Sequence, residues 1–176
     1  MSAPPPAGMS SSPLPRGLSF WSAPALLSTW FGTGLLPKAP GTWGSLAALP
    51  VAWALAAKIG PWAVAAAGAA LFVLGLWAVT RYLAHARQKD PGPVVIDEVA
   101  AQLLAVAPAG LDPVAFGLGF ILFRTFDILK PWPLKRLERL HPDALGVMAD
   151  DLGAAFYTSL CLAIYFILNE RVNVLF

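Results

Sequence analysis

The sequence predicts an all-α fold: a small membrane-embedded helical bundle with a broken, re-entrant third helix and interfacial loops on one face. The first observation is composition, since the 176 residues are 57% hydrophobic and only 12% charged, whereas soluble domains have about 25% charged residues. The second is charge placement, because 16 of the 22 charged residues lie within residues 81–98 and 124–151. A charge at the centre of a bilayer costs at least about 2.5 kcal/mol, so this clustering is typical of a membrane protein.

The N-terminal part of the chain predicts a tail, an interfacial segment and a short apolar block. Residues 1–17 are rich in Pro and Ser and predict a flexible tail, whereas residues 18–176 predict a single domain. The segment from Leu18 to Leu36 is apolar but interrupted by proline and glycine, which favours an interfacial helix followed by a loop. The block from Leu46 to Ala57 is short for a hydrocarbon core of about 30 Å, so it either spans with tilt or only dips into the membrane.

Three longer apolar blocks follow. Residues 62–83 come directly after a proline, which suits a helix start, and form the best candidate for a membrane span. The block from Val99 to Phe126 is interrupted by Pro108 and Pro113. Because proline removes a backbone hydrogen bond, two half-length helices in a re-entrant hairpin are expected there. Residues 152–168 are uncharged and just long enough to cross a bilayer.

The distribution of basic residues predicts an orientation. If the first two blocks cross and return, the loops around 38–45, 84–98 and 127–151 share one face, and the other face carries Lys58 and Arg171. Basic loops remain on the cytoplasmic side of a membrane, so the charged face is expected to be cytoplasmic. Its basic residues are Lys38, Arg81, Arg87, Lys89, Arg124, Lys130, Lys135, Arg136 and Arg139.

Several classes of function are disfavoured by composition and motifs. A net charge of +2 is too small to indicate nucleic acid as a partner. The single Cys161 allows neither an internal disulfide nor a multi-cysteine metal cluster. The sequence contains no Gly-x-Ser-x-Gly elbow and no phosphate-loop nucleotide motif. Nothing in the sequence points to a protein partner.

Acidic residues stand at three places on the charged face. They are Asp97–Glu98, Asp127 and Asp150–Asp151. The two pairs each precede an apolar helix, so capping of backbone N–H groups is one interpretation. Asp127 lies near the end of a helix stopped by Pro131, where the helix dipole disfavours an anion. Its structural alternative is an ion pair with Arg124 or Lys130, each three residues away.

The functional interpretation joins these acids into one site. Carboxylates are hard oxygen ligands that suit Mg²⁺, so the candidate metal ligands are Asp97, Glu98, Asp127, Asp150 and Asp151. Arg124 and Lys130 would neutralise phosphate oxygens. The segment KAPGTWGS adds glycines, hydroxyls and a helix start, a combination that binds anions. Its candidate phosphate-binding residues are Lys38, Gly41, Thr42, Gly44 and Ser45. The alternative is a plain Pro/Gly loop with Thr42 or Ser45 as a helix N-cap.

Four strings carry a resemblance to a known family. FGTGLLPKAPGTWGSLAALP, VIDEVAAQLL, FRTFDILKPWP and ADDLGAA resemble, in order and spacing, bacterial phosphatidylglycerophosphatase A over about residues 31–155. The resemblance implies an Mg²⁺-dependent lipid phosphatase of the bacterial cytoplasmic (inner) membrane. Such an enzyme converts phosphatidylglycerophosphate to phosphatidylglycerol and phosphate. The acidic, basic and loop residues named above fall on the family's corresponding positions, and Ala101 stands where the family usually has glycine.

The resulting hypothesis is direct hydrolysis at the membrane surface. Asp97, Asp127, Asp150, Arg124 and Lys130 are the expected catalytic residues, with one or two Mg²⁺ ions polarising the phosphomonoester and activating water. The competing class is a small transporter or ion-pathway protein, since such proteins also have broken helices and membrane acids. A pathway for ions through the membrane needs acidic residues deep within the bilayer, and Asp112 is the only candidate for that position.

Overall fold

The chain is described from a computed structural model that covers residues 14–88, 91–137 and 143–175. These residues form helices and turns, with no β-strand among them. The helices are α1 (Ala23–Ser28), α2 (Pro40–Lys58), α3 (Pro61–Leu83), α4 (Ile96–Val106), α5 (Pro113–Leu129), α6 (Leu134–Leu137) and α7 (Asp143–Leu175). The all-α prediction is therefore confirmed.

The predicted tail lies mostly outside the described residues. Residues 1–13 are not among them, and neither are Lys89 and Arg139. The last part of the predicted tail is described, and there Leu14 packs against the core cluster that contains Tyr82 and Met148.

The first long helix starts earlier than the sequence pattern predicts. α2 begins at Pro40, so the string GTWGS forms its first two turns and is not a loop. The residue preceding the helix, Ala39, has a positive φ of 49° and makes no side-chain cap. The alternative interpretation, a plain loop with Thr42 or Ser45 as the N-cap of this helix, is therefore wrong. Packing explains the difference, because Gly44 lies so close to Val95 that an added Cβ would stand 2.9 Å from the Val95 Cβ.

The break in the third apolar block is confirmed. α4 ends at Val106, a 3₁₀ turn follows over Ala107–Ala109, and α5 begins at Pro113. Asp112 caps α5, since its Oδ1 accepts hydrogen bonds from the backbone N–H groups of Val114 at 2.8 Å and Ala115 at 3.1 Å. The chain thus reverses direction at residues 107–112.

Two of the described helices are long and apolar enough to cross a bilayer. They are residues 61–83, which form α3, and residues 143–170 of α7. Only 33% and 28% of their most apolar stretches is buried against the rest of the protein. The core helix of a soluble domain would be mostly covered by protein, so both helices are candidates for membrane spans.

The short helix α4 lies at the centre of the bundle. It packs against α2, α3, α5 and α7. Its apolar residues Ile96, Val99, Ala100 and Leu103 are completely buried. This burial places the first turn of α4, which carries two carboxylates, among the ends of its neighbours.

Candidate active site

Three carboxylates from two helices converge at one end of the bundle. Asp97 and Glu98 lie in the first turn of α4, and Asp151 comes from α7. One carboxylate oxygen from each lies within 4.8 Å of the others. Asp97 and Asp151 are 8% and 4% exposed. The cluster is thus almost closed to solvent in the described part of the chain.

These carboxylates are short of hydrogen-bond donors. Among the described residues, Oδ1 of Asp97, Oε2 of Glu98 and Oδ2 of Asp151 are buried with no hydrogen-bond partner. Burial, followed by the charge of Glu98, raises the pKa of Asp97 well above its ordinary value. Burial likewise raises the pKa of Glu98. Buried carboxylates that face one another are costly unless a cation compensates them, so the donor set fits a hard divalent cation such as Mg²⁺.

The arginine of α5 joins three groups of the site. Nη1 of Arg124 lies 2.6 Å from Oδ2 of Asp127 and 3.9 Å from Oε1 of Glu98. The same nitrogen donates to Oγ of Ser45 at 3.3 Å. The expected ion pair between Asp127 and Arg124 is therefore present, but it belongs to a network that reaches the acidic cluster and α2.

The lysine that ends α5 makes a second ion pair. Nζ of Lys130 donates to Oδ2 of Asp150 at 2.6 Å. Lys130 is the C-cap residue of α5 and has a positive φ of 42°. Asp150 lies in the third turn of α7, which begins at Asp143. The alternative interpretation, in which Asp150 and Asp151 precede and cap this helix, is therefore wrong, because the helix begins at Asp143.

The start of α2 forms another wall of the site. A Cβ added to Gly41 would overlap Oε1 of Glu98 and stand 3.3 Å from Nη1 of Arg124. The completely buried Ser45 hydroxyl donates to the carbonyl of Gly41 at 2.9 Å while accepting from Arg124. Lys38 is exposed just before α2, and Thr42 is half-buried in its first turn. Of the expected phosphate-binding residues, Gly41 and Ser45 thus contact the charged network directly.

One polar residue of the central helix was not identified from the sequence. Gln102 is completely buried, and neither amide atom has a hydrogen-bond partner in the described part of the chain. It lies four residues after Glu98, on the same side of α4. The sequence does contain a signal for it, because Gln102 is a polar residue four positions after Glu98 in an otherwise apolar segment.

Asp112, the only candidate for an acidic residue deep in the membrane, has a structural role. Asp112 caps α5, as described above, and its Oδ2 accepts a hydrogen bond from the Tyr165 hydroxyl at 3.3 Å. Asp127 comes 15 positions later in the chain, towards the other end of α5, which corresponds to about 22 Å. This separation gives no support to a chain of acids running through the bundle.

Comparisons with known proteins identify relatives. The family described as Phosphatidylglycerophosphatase A matches residues 26–166. Two proteins named Phosphatidylglycerophosphatase A are each 35% identical: that of Haemophilus influenzae over 68% of this chain and 74% of its own, and that of Escherichia coli over 67% and 69%. A Bacteroides thetaiotaomicron protein named "Putative phosphatidylinositol-3-phosphatase" is 36% identical over 73% of this chain and 84% of its own. No solved structure matches the chain significantly.

Proposed function

Because the chain belongs to the phosphatidylglycerophosphatase A family, we propose that it hydrolyses phosphatidylglycerophosphate to phosphatidylglycerol and phosphate. The proposed reaction is a step of phospholipid biosynthesis at the cytoplasmic face of the bacterial inner membrane. The observation that supports it is the convergence of three carboxylates, two of them buried, with two carboxylate–cation pairs at one end of the bundle. Phosphoryl transfer depends mainly on positioning and on charge stabilisation, and this arrangement supplies both.

The three converging carboxylates are the proposed magnesium ligands. Asp97, Glu98 and Asp151 would hold the ion, since one oxygen of each lies within reach of a single cation, and each has a buried oxygen with no hydrogen-bond partner among the described residues. When bound, Mg²⁺ supplies Lewis-acid polarisation of the phosphomonoester and lowers the pKa of a water molecule. Asp127 and Asp150 belong to the same proposed site, where each is paired with a cation.

The two cations are the proposed phosphate-binding groups. Arg124 and Lys130 each hold a carboxylate at 2.6 Å, and a phosphate dianion offers the same kind of oxygen to the same donors. Gly41 brings the α2 backbone against the network, and a helix start favours anions. Lys38, Thr42 and Gly44 complete the proposed phosphate loop.

The proposed chemistry is direct hydrolysis. A water oxygen bonds to phosphorus while the bond from phosphorus to the glycerol oxygen breaks, and the leaving oxygen takes up a proton. A site carboxylate, Asp127 or Asp150, accepts the proton that the water loses. Arg124 stabilises the charge on the phosphoryl oxygens. The lipid's acyl chains remain in the bilayer beside the open faces of α3 and α7.

The direct test is phosphate release by the purified protein from phosphatidylglycerophosphate, with Mg²⁺ and with a chelator. We expect Mg²⁺-dependent release and faster turnover than with phosphatidylinositol 3-phosphate. Asp97→Asn and Asp127→Asn are expected to abolish release. Glu170→Gln, an exposed change near the far end of α7, is the matched control. Full rates in folded Asp97→Asn and Asp127→Asn variants would refute the proposed site.

A further inference from the structure

An exposed patch of apolar and basic side chains adjoins the site where α5 ends. Ile128, Leu129 and Trp132 are 69%, 66% and 74% exposed. Lys135 and Arg136 follow on α6 and are also exposed. We refer to these five residues as the Trp132 patch. No part of the described structure covers the three apolar side chains of this patch, which remain exposed beside the two cations.

The backbone holds this patch in a defined position. The carbonyl of Trp132 accepts a hydrogen bond from the Tyr157 hydroxyl of α7 at 3.2 Å. Leu134, between Trp132 and the two cations, is 3% exposed and belongs to the core. The guanidinium carbon of Arg136 lies 5.6 Å from the centre of the Trp132 ring. The apolar and basic parts therefore form one surface.

The chemistry of this surface matches the headgroup layer of an anionic bilayer. Tryptophan favours the membrane–water interface, and exposed leucine and isoleucine favour the acyl region beneath it. Lysine and arginine beside the membrane attract anionic lipids. The patch also lies beside the N-terminal part of the candidate membrane helix α7, because Lys130, two residues before Trp132, pairs with Asp150 of that helix.

We propose that the Trp132 patch docks against anionic phospholipid headgroups and holds the site at the depth where a lipid phosphomonoester enters. The part of this proposal that concerns substrate entry rests on the proposed function. The docking itself does not, since it follows from exposure, charge and position alone. Its consequence is that anionic lipid, even lipid that is neither substrate nor product, strengthens the apparent affinity for substrate.

The test compares variants at the two ends of the molecule. Lys135→Ala/Arg136→Ala removes the cations of the patch, and Trp132→Ala removes its aromatic ring. Lys58→Ala and Trp62→Ala are matched controls, since Lys58 is exposed and Trp62 is 68% exposed. Lys58 ends α2, 17 residues from Gly41, or about 25 Å away. None of the four changes touches the proposed catalytic groups.

The first measurement counts bound phosphatidylserine by native mass spectrometry, in detergent micelles that contain both phosphatidylserine and phosphatidylcholine. The second is the KM for phosphatidylglycerophosphate in nanodiscs with and without phosphatidylserine. We expect the double variant to lose bound phosphatidylserine and its KM to rise by about five-fold for each cation removed, with kcat unchanged. Added salt should raise the KM of the wild type but not of the double variant. Trp132→Ala should raise the KM, whereas Trp62→Ala should not.

Two results would overturn the docking proposal: equal phosphatidylserine binding by the wild type and the double variant, or an equal loss in Lys58→Ala. A failure of the proposed function looks different. In that case no phosphate is released from phosphatidylglycerophosphate in any lipid mixture, while the difference in phosphatidylserine binding between the wild type and the double variant persists.

Discussion

Substitution of Gly41 by alanine tests how tightly α2 is fitted to the charged network. The added Cβ would overlap Oε1 of Glu98 and stand 3.3 Å from Nη1 of Arg124. The carboxylate or the helix must therefore move by about 1 Å, and a misplacement of that size can lower a rate by about 100-fold. Overpacking costs about 1–3 kcal/mol, partly offset by about 1 kcal/mol from the better helix propensity of alanine. We expect a large loss of kcat with a small change in stability.

The matched control for this change is Gly117→Ala on α5. A Cβ at Gly117 has no atom within 4 Å in the described structure, so alanine there is expected to keep the wild-type rate and to gain up to about 1 kcal/mol. The assay is phosphate release at saturating substrate, with thermal unfolding followed by circular dichroism. If Gly41→Ala keeps the wild-type rate, the close approach of α2 to Glu98 and Arg124 has no role in catalysis.

Three further predictions concern the groups around the cluster. Ser45→Ala removes an acceptor from Arg124, and kcat for phosphate release is expected to fall about five-fold, the equivalent of one hydrogen bond; an unchanged kcat would assign the hydroxyl to helix packing. Lys130→Met removes the cation beside Asp150 and should cost about 2 kcal/mol in thermal unfolding, while Lys130→Met/Asp150→Asn should regain stability without regaining activity. Because the pKa values of Asp97 and Glu98 are raised, the metal-free protein is expected to lose stability as pH rises above about 4. Mg²⁺ should then raise Tm more at pH 8 than at pH 6, and an equal shift at both would contradict metal binding at these groups.

The sequence pattern predicts the helices and the broken block for local reasons. Proline at Pro108 and Pro113 interrupts hydrogen bonding wherever the chain folds, and a long uncharged run such as residues 62–83 has few alternatives to a helix. The structure places breaks and helices accordingly. Local chemistry determines these features, so the sequence alone is sufficient to predict them.

The start of α2 could not be predicted in the same way. Gly41 and Gly44 lower helix propensity, and the string therefore resembles a loop. The helix forms because the absence of side chains lets α2 approach Glu98 of α4, and Val95 just before α4, closely. That contact joins residues more than 50 positions apart, and no local pattern reveals it.

For the acidic residues, the sequence predicts their types and the ion pair of Asp127 with Arg124, but not how the five carboxylates are grouped. The sequence identifies five candidate carboxylates, and the structure separates them: one group of three within 4.8 Å, and two that face cations. The division depends on how α5 and α7 pack around α4. The link from Ser45 to Arg124 has the same origin, since it joins α2 to α5 across 79 positions.

Binding of Mn²⁺ followed by electron paramagnetic resonance, with phosphate release measured on the same samples, tests whether Asp97, Glu98 and Asp151 form a metal-dependent phosphatase site. Mn²⁺ takes the same oxygen ligands as Mg²⁺, and Asp151 is the ligand that α7 contributes to the cluster. We predict that the wild type binds Mn²⁺ and releases phosphate from phosphatidylglycerophosphate, and that folded Asp151→Asn does neither. A folded Asp151→Asn variant that binds Mn²⁺ and turns over as the wild type does would contradict the assignment of these three carboxylates as a metal-dependent phosphatase site.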